Sequence, residues 1–387
     1  MKLEINLEDF PSNKIYVRLN KNFMNYLING TLKKLNFNSL VQLANLINSV
    51  ALKYNINYKI NGGDIKRWSI GSYIDKRTGN IHNKFIPLWI ALELIKFTKT
   101  SIKYLQAAVS SYRSGGSGNI VFSPKLPIKI TPELVSIIIH LMGDGYAGDH
   151  TPQYSQKNDN TRQEFIQKIK NCFGPFEEKH CSDKEVRFPK AVTDILIYYF
   201  GIRSFMSRDA RIPKGIFKLS KQHKLACLTA FIVDEGSIRD TVQLLSANPN
   251  LLSDIKKIAE MCDYTCAPIR YEKRAKEFVF GIRNESVTKL LVNINNLQKS
   301  YHLCGLAHKY EKLTLLVHII KNPNSRKPGF AKLKILKALS DRPVTALELA
   351  NRLRFLYGVT RAHLAKLYES GFVERLPSEK GYLWKIN

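Results

Sequence analysis

The sequence predicts an α+β fold in which two pseudo-symmetric αββαββα repeats are flanked by an all-α N-terminal domain and a C-terminal domain of three helices and a hairpin. Two apolar stretches predict the repeats: IIIHLMGDGYAG (137–148) and LTAFIVDEGSI (228–238) each end in a carboxylate followed by glycine. A serine lies 11 residues after each carboxylate, at Ser155 and Ser246, and a polar turn and a helical pattern follow. Asp144 and Glu235 are 91 residues apart (235 − 144), a period that indicates an internal duplication.

Composition restricts the class of partner. The 387 residues include 60 Lys and Arg against 32 Asp and Glu, which gives a formal net charge of +28. Such an excess favours a polyanion, either a nucleic acid or an anionic membrane surface. No apolar run approaches the roughly 18 residues of a membrane span. The acidic, alternating N-terminus is typical of neither a signal peptide nor a transit peptide, so we expect nucleic acid and no membrane.

The cysteines are too sparse for a disulfide framework, which suits a reducing cytoplasm and predicts a cytoplasmic protein. A zinc site is one interpretation of a group of residues near the end of the second repeat: Cys262, Cys266, His302, Cys304 and His308. We favour buried, apolar cysteines, because Cys172 and Cys262 end equivalent helical patterns in the two repeats.

Stretches rich in glycine and proline set the domain boundaries. GGSG followed by Pro124 and Pro127 predicts a linker, and KNPNSRKPG (321–329) predicts a second break. The predicted segments are an N-terminal domain (1–110), a linker (111–130), a two-repeat domain (131–305, with repeats of about 131–220 and 221–305), a connector (306–330) and a C-terminal domain (331–387).

The N-terminal domain contains a candidate DNA-binding element. Apolar residues recur at helical spacing over 39–58 and 86–97. Between them, the turn NGGD leads into a short basic helix, for which Asp64 is the predicted N-cap. The arrangement resembles a helix-turn-helix, in which Lys66 and Arg67 would contact DNA. A plain helical bundle with a solvated basic face is the alternative.

The C-terminal domain has a more distinctive order of elements. A first amphipathic helix, FAKLKILKAL, is followed by a capping box from Thr345 to Glu348, a third helix and two strands around the turn SEKG. This order resembles a winged helix, whose third helix enters the major groove. Arg361, His363 and Lys366 lie on that helix and are candidate DNA contacts, unless the domain serves protein contacts instead.

The two repeats together resemble the LAGLIDADG homing endonucleases in their single-chain, two-repeat form. The residues that carry the resemblance are the two motifs, ending GDG and DEGS, and the stretch RIPKGIF (211–217) before the second one. It extends from about Thr131 to Ile294. It implies a monomeric, site-specific double-strand DNA endonuclease, a hydrolase that cleaves phosphodiester bonds with Mg²⁺ at a long asymmetric target.

The resemblance also implies the site residues. Asp144 and Glu235 would be the catalytic metal ligands, and Asp234 would not be one. Carboxylates brought together at helix C-termini repel each other, which a divalent cation relieves, and oxygen ligands with room for water suit Mg²⁺. The cation would activate water and stabilise the oxyanion of the reaction. Lys190 matches the family's active-site lysine, and Gln156 would position water.

Each repeat of the family places a curved sheet in the major groove, where alternate side chains face the DNA. The candidate contacts are Tyr154, Gln156 and Lys157 in the first repeat and Gln243, Arg270, Tyr271, Lys273, Arg274 and Arg283 in the second.

Two departures from the family leave other functions open. Ile139 is bulky where a small residue is common, and Glu285 stands where a second lysine would be expected. The alternatives are a non-cleaving, DNA-binding transcriptional regulator on the same scaffold and an intron RNA maturase, for which RNA would be the partner.

Overall fold

The computed structural model describes these ranges of the chain: 2–53, 56–74, 81–115, 119–147, 151–180, 182–206, 208–273, 275–321, 330–340, 342–378 and 381–387. The chain divides into two compact units, Met1–Lys218 and Leu219–Asn387. Helices and strands occur in both units, which confirms the α+β class. Among the described residues, no helix is both long enough and apolar enough to cross a membrane.

The first unit begins with a region of helices and short strands. Its elements are β1 (Glu4–Ile5), β2 (Ile15–Leu19), α1 (Lys21–Lys34), α2 (Leu40–Lys53), α3 (Gly62–Ile70), β3 (Ser72–Ile74), β4 (Ile81–Asn83), β5 (Ile86–Pro87), α4 (Leu88–Thr98), α5 (Ile102–Ala108), β6 (Val109–Ser114), β7 (Val121–Phe122) and β8 (Ile128–Lys129). Four of the strands form an antiparallel sheet in the order β5-β2-β6-β7. The prediction of an all-α N-terminal domain is therefore corrected.

The sheet escaped prediction because its strands are short and their partners are distant in sequence. In β2, Ile15, Val17 and Leu19 are buried while the two residues between them are partly exposed, which is the alternation of a half-buried strand. This strand pairs with β6, where Ile15 lies opposite Ser114.

The helix-turn-helix-like region keeps its predicted helices, α2 and α3, which pack against each other. Asn61, not Asp64, is the N-cap of α3: the Asn61 side chain accepts a hydrogen bond from the Asp64 N–H at 3.1 Å, and the Asp64 carboxylate accepts one from the Asn61 N–H at 2.9 Å. This reciprocal pair is a capping box, in which Asp64 is the third helical residue. Lys66 and Arg67 are exposed on α3, as predicted from the sequence.

The segment predicted as a linker, 111–130, contains regular structure. It includes most of β6, and β7 and β8 pair with β6 and β1 respectively. Residues 116–118 lie outside the described ranges. In the described part of this segment, hydrogen bonding to neighbouring strands therefore gives regular structure where a linker was predicted.

The first unit ends with one αββαββα repeat, and the second unit begins with another. The first repeat consists of α6 (Pro132–Gly143), β9 (Gly145–Tyr146), β10 (Gln153–Ser155), α7 (Asp159–Phe173), β11 (Lys179–His180), β12 (Glu185–Arg187) and α8 (Lys190–Phe200). The second consists of α9 (Lys221–Glu235), β13 (Gly236–Ile238), β14 (Val242–Ser246), α10 (Pro249–Met261), β15 (Arg270–Glu272), β16 (Glu277–Ile282) and α11 (Asn284–Ser300). The strand orders, β9-β10-β12-β11 and β13-β14-β16-β15, are equivalent. The predicted duplication is thus confirmed.

The second unit ends with the predicted winged helix. Its remaining elements are α12 (Tyr310–Lys321), α13 (Phe330–Leu339), β17 (Val344–Thr345), α14 (Ala346–Leu353), α15 (Tyr357–Glu369), β18 (Val373–Ser378) and β19 (Gly381–Ile386). The strand order is β17-β19-β18, and Ile335, Leu349, Leu364 and Trp384 belong to one buried core. Helix α12 occupies much of the predicted connector, of which 322–329 lies outside the described residues.

Candidate active site at the ends of the motif helices

The two acidic motifs form the last turns of helices that are buried on every face. All residues from Leu134 to Met142 in α6 and from Leu225 to Val233 in α9 are buried. A helix that is apolar all round is stable only when it is enclosed all round. Ile139, the bulky departure from the family pattern, is fully buried in α6. The enclosure of both helices therefore restricts the positions of the residues at their C-terminal ends.

Glycine follows each acidic residue because the chain turns back closely over the helix end. A Cβ on Gly145 would lie 2.5 Å from the Cα of Leu141, and a Cβ on Gly236 would collide with the carbonyl oxygen of Ile232. Only a residue without a side chain fits such an approach of two backbones. This explains why both motifs place glycine after the carboxylate.

Asp144 is half-buried at the C-cap of α6, where strand β10 and the residue after it hold it in place. Its N–H bonds to the carbonyl of His140 at 3.1 Å, and its own carbonyl accepts a hydrogen bond from the N–H of Ser155 at 3.0 Å. The Nε2 of Gln156 donates to Oδ2 of Asp144 at 2.8 Å. The structure thus brings together two of the predicted site residues, Asp144 and Gln156.

Gln156 is itself fixed by its neighbours. Its side-chain oxygen accepts a hydrogen bond from the N–H of Lys157 at 2.9 Å, and its main-chain carbonyl accepts one from the guanidinium of Arg162. That guanidinium, nearly buried, also donates to Asp159 at 2.8 Å. The amide group of Gln156 therefore has a defined orientation toward Asp144.

Behind Asp144 lies a buried polar cluster that no sequence pattern indicated. His140, on α6, has Nε2 at 2.9 Å from the ammonium of Lys168 and Nδ1 at 3.5 Å from the hydroxyl of Tyr154. Burial and the charge of Lys168 hold the pKa of His140 well below its ordinary value. The imidazole is therefore neutral, and because Nε2 accepts from Lys168, its proton lies on Nδ1.

The prediction that Tyr154 contacts DNA is wrong. Tyr154 is 0% exposed and stacks on Phe165 with ring centroids 4.1 Å apart. In β10, Gln153 and Ser155 are partly exposed while Tyr154 faces the core. Side chains alternate between the faces of a strand, so the choice of face could not be made without the register.

Glu235 is the last residue of α9, and a buried lysine lies beside it. The Nζ of Lys309 donates to the carbonyl oxygens of Ile232 and Gly236 at 2.7 and 2.6 Å, and Lys309 is only 9% exposed. A positive charge at a helix C-terminus offsets the partial negative charge of the last carbonyls. Lys309 comes 74 residues after Glu235 (309 − 235), so no local motif pointed to it.

Lys190 lies at the first position of α8, partly exposed. It lines a cavity of about 320 Å³ together with residues of the N-terminal region, among them Asn13, Lys14 and Ser114. Its catalytic role stays a prediction. Its predicted counterpart in the second repeat, Glu285, is exposed in the first turn of α11.

The other predicted DNA contacts have the accessibility that such a role needs. Gln243 lies on the partly exposed face of β14. The exposed residues of this set are Lys157, Arg270, Tyr271, Lys273, Arg283, Arg361 and Lys366, whereas His363 is half-buried and Arg274 lies outside the described residues. Contact of these side chains with DNA stays a prediction.

The cysteines of the suggested zinc group are mostly enclosed. Cys262 and Cys304 are buried, and Cys266 is partly buried. Burial raises the pKa of both Cys262 and Cys266 to about 11, so the thiols stay protonated at neutral pH. Within the described ranges, no three His, Cys, Asp or Glu side chains are grouped as metal ligands would be.

Comparison with known proteins gives limited similarity. Residues 331–375, within the winged helix, match the family model described as bacterial regulatory protein, arsR family. The structure is similar to the crystal structure of I-DmoI in complex with DNA and Mn. The match covers 42% of this chain and 96% of that chain, with 14% sequence identity and a TM-score of 0.33. Structures of mesophilic variants of the homing endonuclease I-DmoI have the same coverage, with 16% identity and a TM-score of 0.30. Similarity at this level assigns no residue of this chain. No curated protein sequence matches it.

Proposed function

We propose that the protein is a site-specific double-strand DNA endonuclease that hydrolyses phosphodiester bonds with Mg²⁺. The observation that carries the proposal is the half-buried Asp144, held at the end of a fully buried helix with Gln156 bonded to its carboxylate. Glu235 ends the equivalent helix of the second repeat. A buried helix that ends in an oriented acid, as α6 does at Asp144, has a cost in stability, which a catalytic role explains.

The chemistry of these residues fits a divalent metal ion. Carboxylate oxygens are ligands that Mg²⁺ prefers, and Asp144 and Glu235 would hold it. When bound, the cation would supply an activated water and stabilise the negative charge of the reacting phosphate. Gln156 would orient Asp144 and position the water, and Lys309 would offset the negative end of α9 beside Glu235.

Double-stranded DNA is the partner that the charge of the protein favours. The net charge of +28 is suited to the phosphate backbone. The exposed side chains near the two sheets differ, for example Lys157, which follows β10 in one repeat, and Arg270, on β15 of the other. One chain with two unequal repeats would therefore act as a monomer on an asymmetric target. The helix-turn-helix-like region and the winged helix would lengthen that target.

One experiment tests the proposal. A plasmid library of genomic DNA that includes the sequences flanking the gene for this protein is incubated with the protein in Mg²⁺ or in Ca²⁺, and cut ends are mapped by sequencing. We expect discrete double-strand cuts in Mg²⁺ at one locus. Tight binding in both metals without cuts would contradict the nuclease.

A non-cleaving transcriptional regulator is the second candidate. The match of residues 331–375 to a bacterial regulatory protein family favours it. The same library separates the two functions: a regulator protects a defined site from DNase I in either metal and leaves the DNA intact.

A further inference from the structure

Three cations of the second unit lie near one another where the second repeat meets the winged helix. Arg239 follows β13 in a turn that is closed by a hydrogen bond from its N–H to the carbonyl of Thr241. Lys312 lies on α12, which packs against both β13 and α14. Arg361 lies on α15. The sequence did not indicate that these three residues lie together, because they are distant along the chain.

The aromatic ring of Tyr357 links two of these cations. The Nζ of Lys312 lies 5.5 Å from the ring centroid, and the guanidinium carbon of Arg361 lies 5.8 Å from it. The third cation, Arg239, precedes Asp240, which contacts the start of the same helix as Tyr357. Asp240 packs against the start of α15 so closely that a Cβ on Gly358 would lie 3.3 Å from its Oδ1. We call Arg239, Lys312 and Arg361 the junction cluster.

The charges of the junction cluster are not balanced by ion pairs. Among the described residues, no salt bridge joins Arg239, Lys312 or Arg361 to a carboxylate. Burial lowers the pKa of the half-buried Lys312, and the positive charges of Arg361 and Arg239 lower it further. Cations held together against their repulsion are stabilised by an anionic ligand.

We propose that Arg239, Lys312 and Arg361 together bind one phosphate of the DNA backbone. A phosphate offers several acceptor oxygens, which suits convergent guanidinium and ammonium donors. Arg361 thereby contacts the backbone and fixes the position of the winged helix, instead of reading a base in the major groove. The second repeat and the winged helix are then joined to one duplex through a shared phosphate. The inference rests on the proposed DNA partner.

The test measures how salt affects binding to a fluorescently labelled duplex of about 30 base pairs, which exceeds the reach of a single module. Fluorescence anisotropy gives the affinity in Ca²⁺ at a series of KCl concentrations, for two duplexes of unrelated sequence. The slope of log K against log [KCl] is negative, and removal of one phosphate interaction reduces its magnitude by about 0.9. The variant is the triple substitution Arg239→Gln, Lys312→Gln and Arg361→Gln.

The matched control is Lys221→Gln, Lys256→Gln and Lys289→Gln, which removes the same charge from lysines of the second unit that are paired with Asp263 or Glu260. Circular dichroism of each variant confirms folding, and Lys312→Arg, which keeps the charge, should bind as the wild type does.

One shared phosphate predicts that the triple variant makes the slope less negative by about 0.9 on both duplexes, while the control does not. A change of about 2.7 would indicate three separate phosphates and overturn the shared site. A slope equal to that of the control would also overturn it, as would a change confined to one sequence, which indicates base reading. If the wild type fails to bind either duplex, or prefers single-stranded RNA, the proposed DNA partner itself is wrong. If the wild type binds both duplexes but the triple variant behaves as the control does, the DNA partner stands and only this inference fails.

Discussion

Gln156 donates a hydrogen bond of 2.8 Å to the carboxylate of Asp144, from a position just beyond the second strand of the first repeat. The neighbouring Ser155 N–H bonds to the main-chain carbonyl of the same aspartate at 3.0 Å. The end of α6 is thus tied to the sheet by both a main-chain and a side-chain contact. The bond from Gln156 reaches a charged acceptor. We therefore expect its removal to change the orientation of the Asp144 carboxylate more than the stability of the fold.

The first prediction concerns this bond. We expect Gln156→Ala to lower the rate of DNA cleavage by about tenfold to a hundredfold, since a hydrogen bond to a charged group contributes about 1.5–3 kcal/mol. The rate is measured under single-turnover conditions on the target mapped from the plasmid library. Gln167→Ala is the matched control, because Gln167 lies on α7 and bonds to Asn171 instead. Equal rates for the two variants would contradict a role for the bond.

The second prediction concerns the glycines of the two motifs. We expect Gly145→Ala and Gly236→Ala each to lower the free energy of unfolding by about 3 kcal/mol, because the added Cβ collides with backbone atoms of the preceding turn. Urea denaturation measures the change. The comparison is Gly201→Ala: this glycine has a φ of +62° and open space around it, so the cost is the conformational strain of about 1 kcal/mol. If Gly145→Ala and Gly236→Ala lowered the free energy of unfolding no more than Gly201→Ala does, the backbone would relax around the added Cβ and the prediction would be wrong.

The third prediction concerns the lysine beside Glu235. Lys309→Met removes the charged donor from the carbonyls of Ile232 and Gly236, and we expect a decrease of about 1–3 kcal/mol in the free energy of unfolding. Lys309→Arg keeps the charge and should be less destabilised. Lys299→Met changes an exposed lysine at the end of α11 and should stay within about 0.5 kcal/mol of the wild type. If Lys309→Met had the same free energy of unfolding as Lys299→Met, the two hydrogen bonds would contribute nothing to stability.

The fourth prediction concerns pH. The pKa of His308 is lowered from 6.5 to about 4 by burial and by the charges of Lys309 and Lys312. Burial and the charge of Lys168 hold the pKa of His140 well below its ordinary value. The unfolded chain therefore binds these protons at a higher pH than the folded chain does. This contribution to stability is complete above pH 6.5 and is lost as the pH falls toward 4.

The measurement is the urea midpoint at pH 8, 7, 6 and 5. We expect the midpoint to fall between pH 7 and 5, and to fall less in His308→Gln. His302→Gln, at an exposed histidine of the same segment, is the control and should follow the wild type. A midpoint that is constant over this range would contradict the lowered pKa values of the two histidines, of which His140 is buried and His308 is exposed.

The sequence was sufficient for the parts of the fold that repeat or that have local patterns. The period between Asp144 and Glu235 predicted two equivalent repeats, and the helical spacing and the capping threonine Thr345 predicted the winged helix. Glu348 does not complete the predicted capping box, since its carboxylate bonds to Arg342. These elements were predictable because the relevant interactions join residues close in sequence.

Features that depend on distant contacts were not predictable. The N-terminal sheet pairs Ile15 with Ser114, and Lys309 reaches the end of α9 from a segment far along the chain. Tyr154 was placed on the wrong face because a single sequence does not fix which alternate residues of a short strand meet the core. In contrast, Gln156 was found because it directly follows the strand whose position the motif had set.

The most direct test of the proposed function compares three neutralising substitutions of motif acids on the mapped target in Mg²⁺. Asp144→Asn and Glu235→Gln should each abolish double-strand cleavage while binding in Ca²⁺ is retained. Asp234→Asn, which changes the acid next to Glu235, should retain cleavage. Cutting by Asp144→Asn or Glu235→Gln at the wild-type rate, or its loss in Asp234→Asn alone, would contradict the assignment of the two acids.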